Sequence, residues 1–137
     1  MTYDPGNIFA RILRGEVPAH KVFEDTHTLA FMDVMPQSEG HTLVIPKCAT
    51  ENLFDLSPES LAATILTTQR VARAVKKAFD APGIMVGQLN GREAGQSVFH
   101  THFHVVPRYD GIDLRFHARD MADAQVLAGH ARKFYKL

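Results

Sequence analysis

The chain contains a single cysteine, Cys48, so no intrachain disulfide can form. That usage fits a reducing compartment. It has no excess of either charge. Fifteen basic residues balance fifteen acidic ones, so net charge draws the chain neither to nucleic acid nor to a membrane surface, and neither is expected as a partner. No apolar run approaches the ~20 residues of a membrane span. The opening MTYDPGNIF has no basic segment followed by an apolar one, so no signal peptide is read and a cytoplasmic protein is expected. Repeats, low-complexity segments and linkers are also missing. What remains is a 137-residue chain, 45% hydrophobic and 22% charged, which suits one globular domain over 1–137 that can bury a core without a structural metal. Eight histidines are many for this length, and their placement carries the argument.

The pattern of elements is mixed. Asn7 can cap a short helix over 7–14, with Ile8, Ile12 and Leu13 as its apolar stripe and Gly15 as its stop. Lys21–Glu24 and Thr28–Met32 read as strands around a turn at 25–27. Residues 33–40 hold Pro36 and Gly40 and read as a loop. His41–Ile45 reads as a strand stopped by Pro46. Ser57 caps a long helix whose first turn takes Pro58, and Leu61, Ile65, Leu66, Val71, Ala72 and Val75 recur at helical spacing up to about Phe79. Ile84–Leu89 reads as a strand, 90–96 as a Gly-containing loop, and Ser97–Val106 as a long strand stopped by Pro107. A last helix is expected over 121–134. Short connections through 21–45 favour antiparallel pairing. The fold class is α+β: an antiparallel sheet of about five strands with one long helix packed on it, a short N-terminal helix and a C-terminal helix.

The segment QSVFHTHFHVVPRY, residues 96–109, stands out. On a strand, alternate side chains share a face. His100, His102 and His104 therefore project together, and Phe99, Thr101, Phe103 and Val105 project opposite them, against the long helix. Same-face neighbours lie roughly 6.5–7 Å apart, within reach of one phosphate-sized group. One such histidine would pass as an ordinary strand residue; three together on one face would not. Two chemistries suit them. An H-x-H pair can chelate zinc with a further ligand from elsewhere. Alternatively, a neutral imidazole is a good nucleophile toward phosphorus and a good leaving group from it. The preceding loop favours the second chemistry. Asn90, Gly91, Gly95, Gln96 and Ser97 offer small residues, backbone N–H groups and polar side chains that can wrap a phosphate.

These segments together resemble the histidine triad (HIT) family, in its Hint-like branch and bacterial form. The signature H-φ-H-φ-H-φ-φ stands here as HTHFHVV, 100–106, with Thr101 at one φ position. IFARILRGEVPA (8–19), VFEDTHTLAFMDVMPQSEGHTLVIPK (22–47) and NGREAGQSVFHTHFHVVPRY (90–109) resemble the family's opening helix, its hairpin with third strand, and its catalytic loop and strand. The resemblance implies a HIT-like fold and a nucleotide hydrolase or nucleotidyl transferase that attacks the α-phosphorus through His102. The intermediate would be a covalent nucleotidyl-histidine, and the substrates purine nucleoside phosphoramidates or adenylylated compounds. The alternatives are a dinucleoside polyphosphate hydrolase, a zinc hydrolase using the same histidines, and a nucleotide-binding regulatory module with little turnover.

The resemblance also implies roles for single residues. His104 would hydrogen-bond the phosphate or the leaving group. The His100 carbonyl would orient His102, and His41 would be a fourth histidine close by. Gln96 and Ser97 would hold phosphate, Asp33 the ribose hydroxyls, and Asn90 would lie at the nucleotide site. Phe9, Phe31 and Val34 would form the base pocket. On pattern alone, those three read equally well as core, Asp33 as a turn cap before Pro36, and His41 as a strand-end histidine. His20, His27, His117 and His130 read as surface residues. Some relatives carry structural zinc on a C-x-x-C pair and two histidines. The matching positions here are Asp4, Asn7, Ala49 and His100, so neither a metal nor any other cofactor is expected. The resemblance implies a homodimer. The 110–137 segment matches the family less well, which leaves the leaving group open.

Overall fold

The protein is described here from a computed structural model, over residues 2–111 and 120–134. Helix α1 (Ile8–Leu13) begins where Asn7 accepts a hydrogen bond from the Ala10 N–H at 2.9 Å. Strands β1 (Lys21–Glu24) and β2 (Thr28–Met32) form a hairpin, and β3 (Thr42–Pro46) adds antiparallel to β2. Asp25 closes the hairpin turn, its carboxylate accepting from the N–H groups of His27 and Thr28. Helix α2 (Pro58–Ala78) follows, then β4 (Gly83–Gly87), β5 (Phe103–Arg108) and helix α3 (Ala124–Ala131). The strands form one antiparallel sheet in the order β1-β2-β3-β5-β4. The expected α+β architecture is present, with five strands, a long α-helix and two shorter ones among the described residues. No helix among the described residues is long and apolar enough to cross a membrane.

The sheet is covered on both faces, and the period-two alternation of its strands decides what goes where. Ala30, Met32, Val44, Phe103 and Val105 face one way and pack with Val71, Val75 and Phe79 of α2 and its C-cap. Leu29, Phe31, Leu43 and Ile45 face the other way and pack with Phe9 and Ile12 of α1. Gly40, just before β3, sits at φ +96°, and a Cβ there would lie 2.8 Å from the Phe79 ring. Only glycine satisfies both demands.

Three expectations need correction. The histidine strand does not begin at Ser97. Residues 97–102 are irregular, and β5 starts at Phe103 and passes through Pro107 to Arg108. Pro107 does not stop it because β3, whose first residue Thr42 pairs with Val105, has already ended. Pro107 is flanked by β4 alone, and a one-sided position tolerates a missing N–H. The second correction concerns the buried face of α2. Ser57 caps this helix as expected, but its buried residues are Thr64, Thr67, Thr68, Val71 and Val75, while Leu61, Ile65 and Leu66 are 37%, 44% and 64% exposed. The threonines can go inside because their hydroxyls are satisfied. Thr64 and Thr68 donate to the carbonyls of Ser60 and Thr64, and Thr67 pairs with Thr28 at 2.8 Å. Third, α3 starts at Ala124 rather than 121, because Asp123 caps it through the Gln125 N–H.

Candidate active site

On the α1 side of the sheet lies a cavity of about 450 Å³. Its walls are largely apolar: Phe9 and Ile12 from α1, Phe31 and Leu43 from the sheet, and Val98 from the irregular stretch. His102, His104, His41 and Asp33 bring polar groups into the same wall. The Phe9 ring stands edge-on to Phe31 (centroids 5.4 Å apart) and to His102 (5.0 Å). The His102 and His104 rings are 4.9 Å apart.

Hydrogen bonds assign the tautomers. His102 Nδ1 lies 2.7 Å from the His100 carbonyl oxygen. A carbonyl only accepts, so Nδ1 carries the proton and Nε2 carries the lone pair. His41 is the reverse case. The Gln37 backbone N–H donates to His41 Nδ1 at 3.0 Å, so the proton sits on Nε2. That nitrogen is 3.0 Å from His104 Nδ1 and 3.4 Å from an Asp33 carboxylate oxygen. Donation from His41 leaves the His104 proton on Nε2. Asp33 also accepts the Met35 N–H at 2.8 Å, so it caps the turn as well as facing the histidines. His41 is 1% exposed. Burial pushes its pKa down to about 3, and charge on His104 and His102 would push the same way. Burial also lowers His100, against the opposing effect of its bond to the Pro46 carbonyl.

The cavity therefore gathers His41, His102, His104, Asp33, Ser97, Phe9, Phe31 and Val34 from the predicted set. It does not gather His100, Asn90 or Gln96. His100 is fully buried, with Nδ1 2.6 Å from the Tyr3 hydroxyl and Nε2 2.8 Å from the Pro46 carbonyl. The expected single face of three histidines fails because 97–102 is not a strand. Phe99 is likewise half-buried away from α2 and lines a separate surface recess with Asp4 and Asn7. Asn90 accepts from the Leu53 N–H and the Gln88 amide. Gln96 accepts from the Gly91 N–H at 2.8 Å and donates to the Glu51 and Val98 carbonyls. Both side chains brace the loop from within. Of the remaining histidines, His27 is exposed. His20 and His130 are half-buried, and His130 pairs with Glu39 at 2.9 Å and packs against Phe79. His117 lies outside the described residues. Sequence reasoning missed Tyr3, Leu43, Val98 and Met121, the last three in the cavity wall. Leu43 carried a signal in the alternation of β3; Tyr3, Val98 and Met121 carried none.

The family model for the HIT domain matches residues 14–111. The chain belongs to the HIT family. Protein hit of Bacillus subtilis is 43% identical over 102 residues, 74% of this chain and 70% of the relative. Adenosine 5'-monophosphoramidase HNT1 of Saccharomyces cerevisiae is 38% identical over 109 residues, 80% of this chain and 66% of the relative. Among solved structures, a Hit-like protein of Bartonella henselae superposes with a TM-score of 0.91 at 46% identity, covering 97% of both chains. The HIT fold is thus shared over nearly the whole length, and a nucleotide hydrolase or transferase is the general activity that HIT membership supports.

Proposed function

We propose that the protein, one HIT domain acting in the cytoplasm, cleaves purine nucleoside phosphoramidates or adenylylated compounds at the α-phosphorus through a nucleotidyl-His102 intermediate. One observation carries this reading: the His100 carbonyl fixes the His102 tautomer that presents an Nε2 lone pair, in a ring standing against an apolar, aromatic cavity. In the first step Nε2 attacks phosphorus, the N–P bond forms, and the bond from phosphorus to the leaving group breaks. The leaving group takes a proton, with His104 Nε2–H as the donor at hand. In the second step water attacks phosphorus and gives a proton back to His104 Nε2, the N–P bond breaks, and the nucleotide and neutral His102 are released. A purine stacks between Phe9, Phe31 and Val34. Asp33 receives the ribose hydroxyls, and Ser97 receives the phosphate at the cavity's edge. The phosphoramidase name of the yeast relative supports the substrate class.

The donor sets do not suit zinc. One ligand-type atom each from Asp33, His41 and His104 falls within 4.8 Å of the others. A neutral His41 binding metal through Nε2 would need its proton on Nδ1, where the Gln37 N–H already donates. Around His100, Asp4 accepts from Gly6, Asn7 caps α1, and position 49 is alanine. A homodimer is part of the proposal. Strand β4 is an edge of the sheet, and Val86 on it is exposed, as are Leu61, Ile65 and Leu66 on α2. Light scattering of the purified protein checks it.

The test of function is turnover of a fluorogenic adenosine phosphoramidate, beside guanosine and dinucleoside polyphosphate substrates. His102→Ala should lose at least ~10³-fold in kcat while still binding AMP. Wild-type turnover in that variant refutes the nucleophile. Activity abolished by a chelator refutes the metal-free site. AMP binding with no turnover of any substrate means a binding module.

A further inference from the structure

The N-terminal segment reaches the histidines at a point that neither catalysis nor nucleotide binding uses. The Tyr3 hydroxyl lies 2.6 Å from His100 Nδ1, 97 residues away in sequence, with the two rings edge-on at 5.7 Å. The other His100 nitrogen faces the Pro46 carbonyl at 2.8 Å. Since that carbonyl must accept, Nε2 carries the proton and Nδ1 is the acceptor. The Tyr3 hydroxyl therefore donates. Both nitrogens of a fully buried ring are engaged, and only one tautomer satisfies both.

The consequence reaches His102 through the backbone. The ladder between β3 and β5 ends at the Val44–Phe103 pair, so residues 97–102 have no strand partner. In its place, the His100 imidazole ties this stretch to the last residue of β3, Pro46. The next peptide is held from the other side, where the Thr101 N–H donates to the Thr50 carbonyl at 2.8 Å. Between these two anchors stands the His100 carbonyl that accepts from His102 Nδ1. Without the Tyr3 hydroxyl, a buried lone pair loses its donor, and the ring gains by turning toward another partner. Turning it gives up the Pro46 bond and releases one of the two anchors.

We propose that Tyr3 is a positioning residue: its hydroxyl holds the His100 ring in one tautomer and one orientation, and the His100 carbonyl passes that constraint to the tautomer and aim of His102. The inference rests on the proposed role of His102 in catalysis. Its structural part stands without it.

The experiment pairs kinetics with ¹⁵N spectra of the histidine rings in the full-length protein. In the wild type, His100 should be protonated on Nε2 alone and His102 on Nδ1 alone. In Tyr3→Phe, kcat on the adenosine phosphoramidate should fall about tenfold, while KM and AMP affinity stay within about twofold. The His102 nitrogens should shift toward a tautomer mixture. Placing 4-aminophenylalanine at position 3 restores a donor and should restore both kcat and the single His102 tautomer. Three results overturn the proposal: wild-type His100 protonated on Nδ1, unchanged His102 spectra and kcat in Tyr3→Phe, or the same loss with the amino analogue as with phenylalanine. If Tyr3→Phe fails to fold, the wild-type spectrum and the amino analogue still decide. If the wild type turns over no nucleotide at all, the nucleotide reading fails, and the His102 spectra still judge Tyr3.

Discussion

Acid should destabilise this protein well above the pH at which its carboxylates protonate, and His41 should account for a measurable share. Its folded pKa is pushed down to about 3 by burial, against about 6.5 in an unfolded chain. For a group with a depressed folded value, the unfolded chain binds more protons between the two, so stability rises with pH across that window. The contribution is intact above about pH 7 and is lost as pH falls through 6.5 toward 3. Between pH 7 and pH 5 this one site removes about 2 kcal/mol. His100 is lowered by burial and adds in the same direction. Glu16, Glu24 and Asp25 also have lowered values, but theirs is a separate, more acidic window. Urea titrations at pH 7 and pH 5, at one protein concentration, measure the loss. His41→Asn keeps an acceptor for the Gln37 N–H but has nothing to titrate. Its loss between the two pH values should be smaller by about 2 kcal/mol. An equal loss in the two proteins would show that His41 takes up its proton as readily in the folded protein as in the unfolded chain, and would refute its being held neutral by burial.

Three further substitutions separate the parts of the molecule. Gly40→Ala should cost about 2–3 kcal/mol in denaturant unfolding, from the positive φ and the clash with Phe79 together; a cost below ~1 kcal/mol would mean that the loop before β3 yields freely. Gln96→Ala withdraws three internal hydrogen bonds. It should cost about 2–3 kcal/mol and speed hydrogen exchange at the Gly91 amide; lost AMP affinity with unchanged stability would instead mean direct contact with the ligand. Phe9→Ala should weaken AMP binding about tenfold, read by calorimetry, and cost about 3 kcal/mol of stability; unchanged AMP affinity would place the base elsewhere.

Much of the fold was legible in the sequence because its signals are local. The capping of α2 by Ser57, the hairpin at 21–32 and its bounds, and the helix started by Asn7 each depend on residues a few positions apart. The errors arise where distant partners override the local pattern. Leu61, Ile65 and Leu66 have the spacing of a core stripe, yet the helix turns threonines inward, which no apolar count reveals. Strict alternation through 97–106 assumes a ladder, and the pairing of β3 with β5 stops at Val44–Phe103 although β3 itself runs on to Pro46. At the site, His102 and His104 were readable from motif and alternation, while His41 and the aromatic residues Phe9 and Phe31 followed only from the family resemblance and on pattern alone read as a strand end and as core. The internal bracing by Asn90 and Gln96 was not, because their partners at Leu53, Glu51 and Gly91 are set by loop packing.

The cavity's aromatic wall rests on α1, a helix of six residues laid across a sheet whose other face is packed by α2. Under the proposed function, part of the recognition and the reaction would therefore be carried by different pieces of chain. On the same proposal, side chains on this short helix would change part of the base pocket while the proposed nucleophile, its orienting carbonyl and the core on the α2 face stay as they are. A fold divided in this way can acquire new substrates in small steps, without first losing its chemistry.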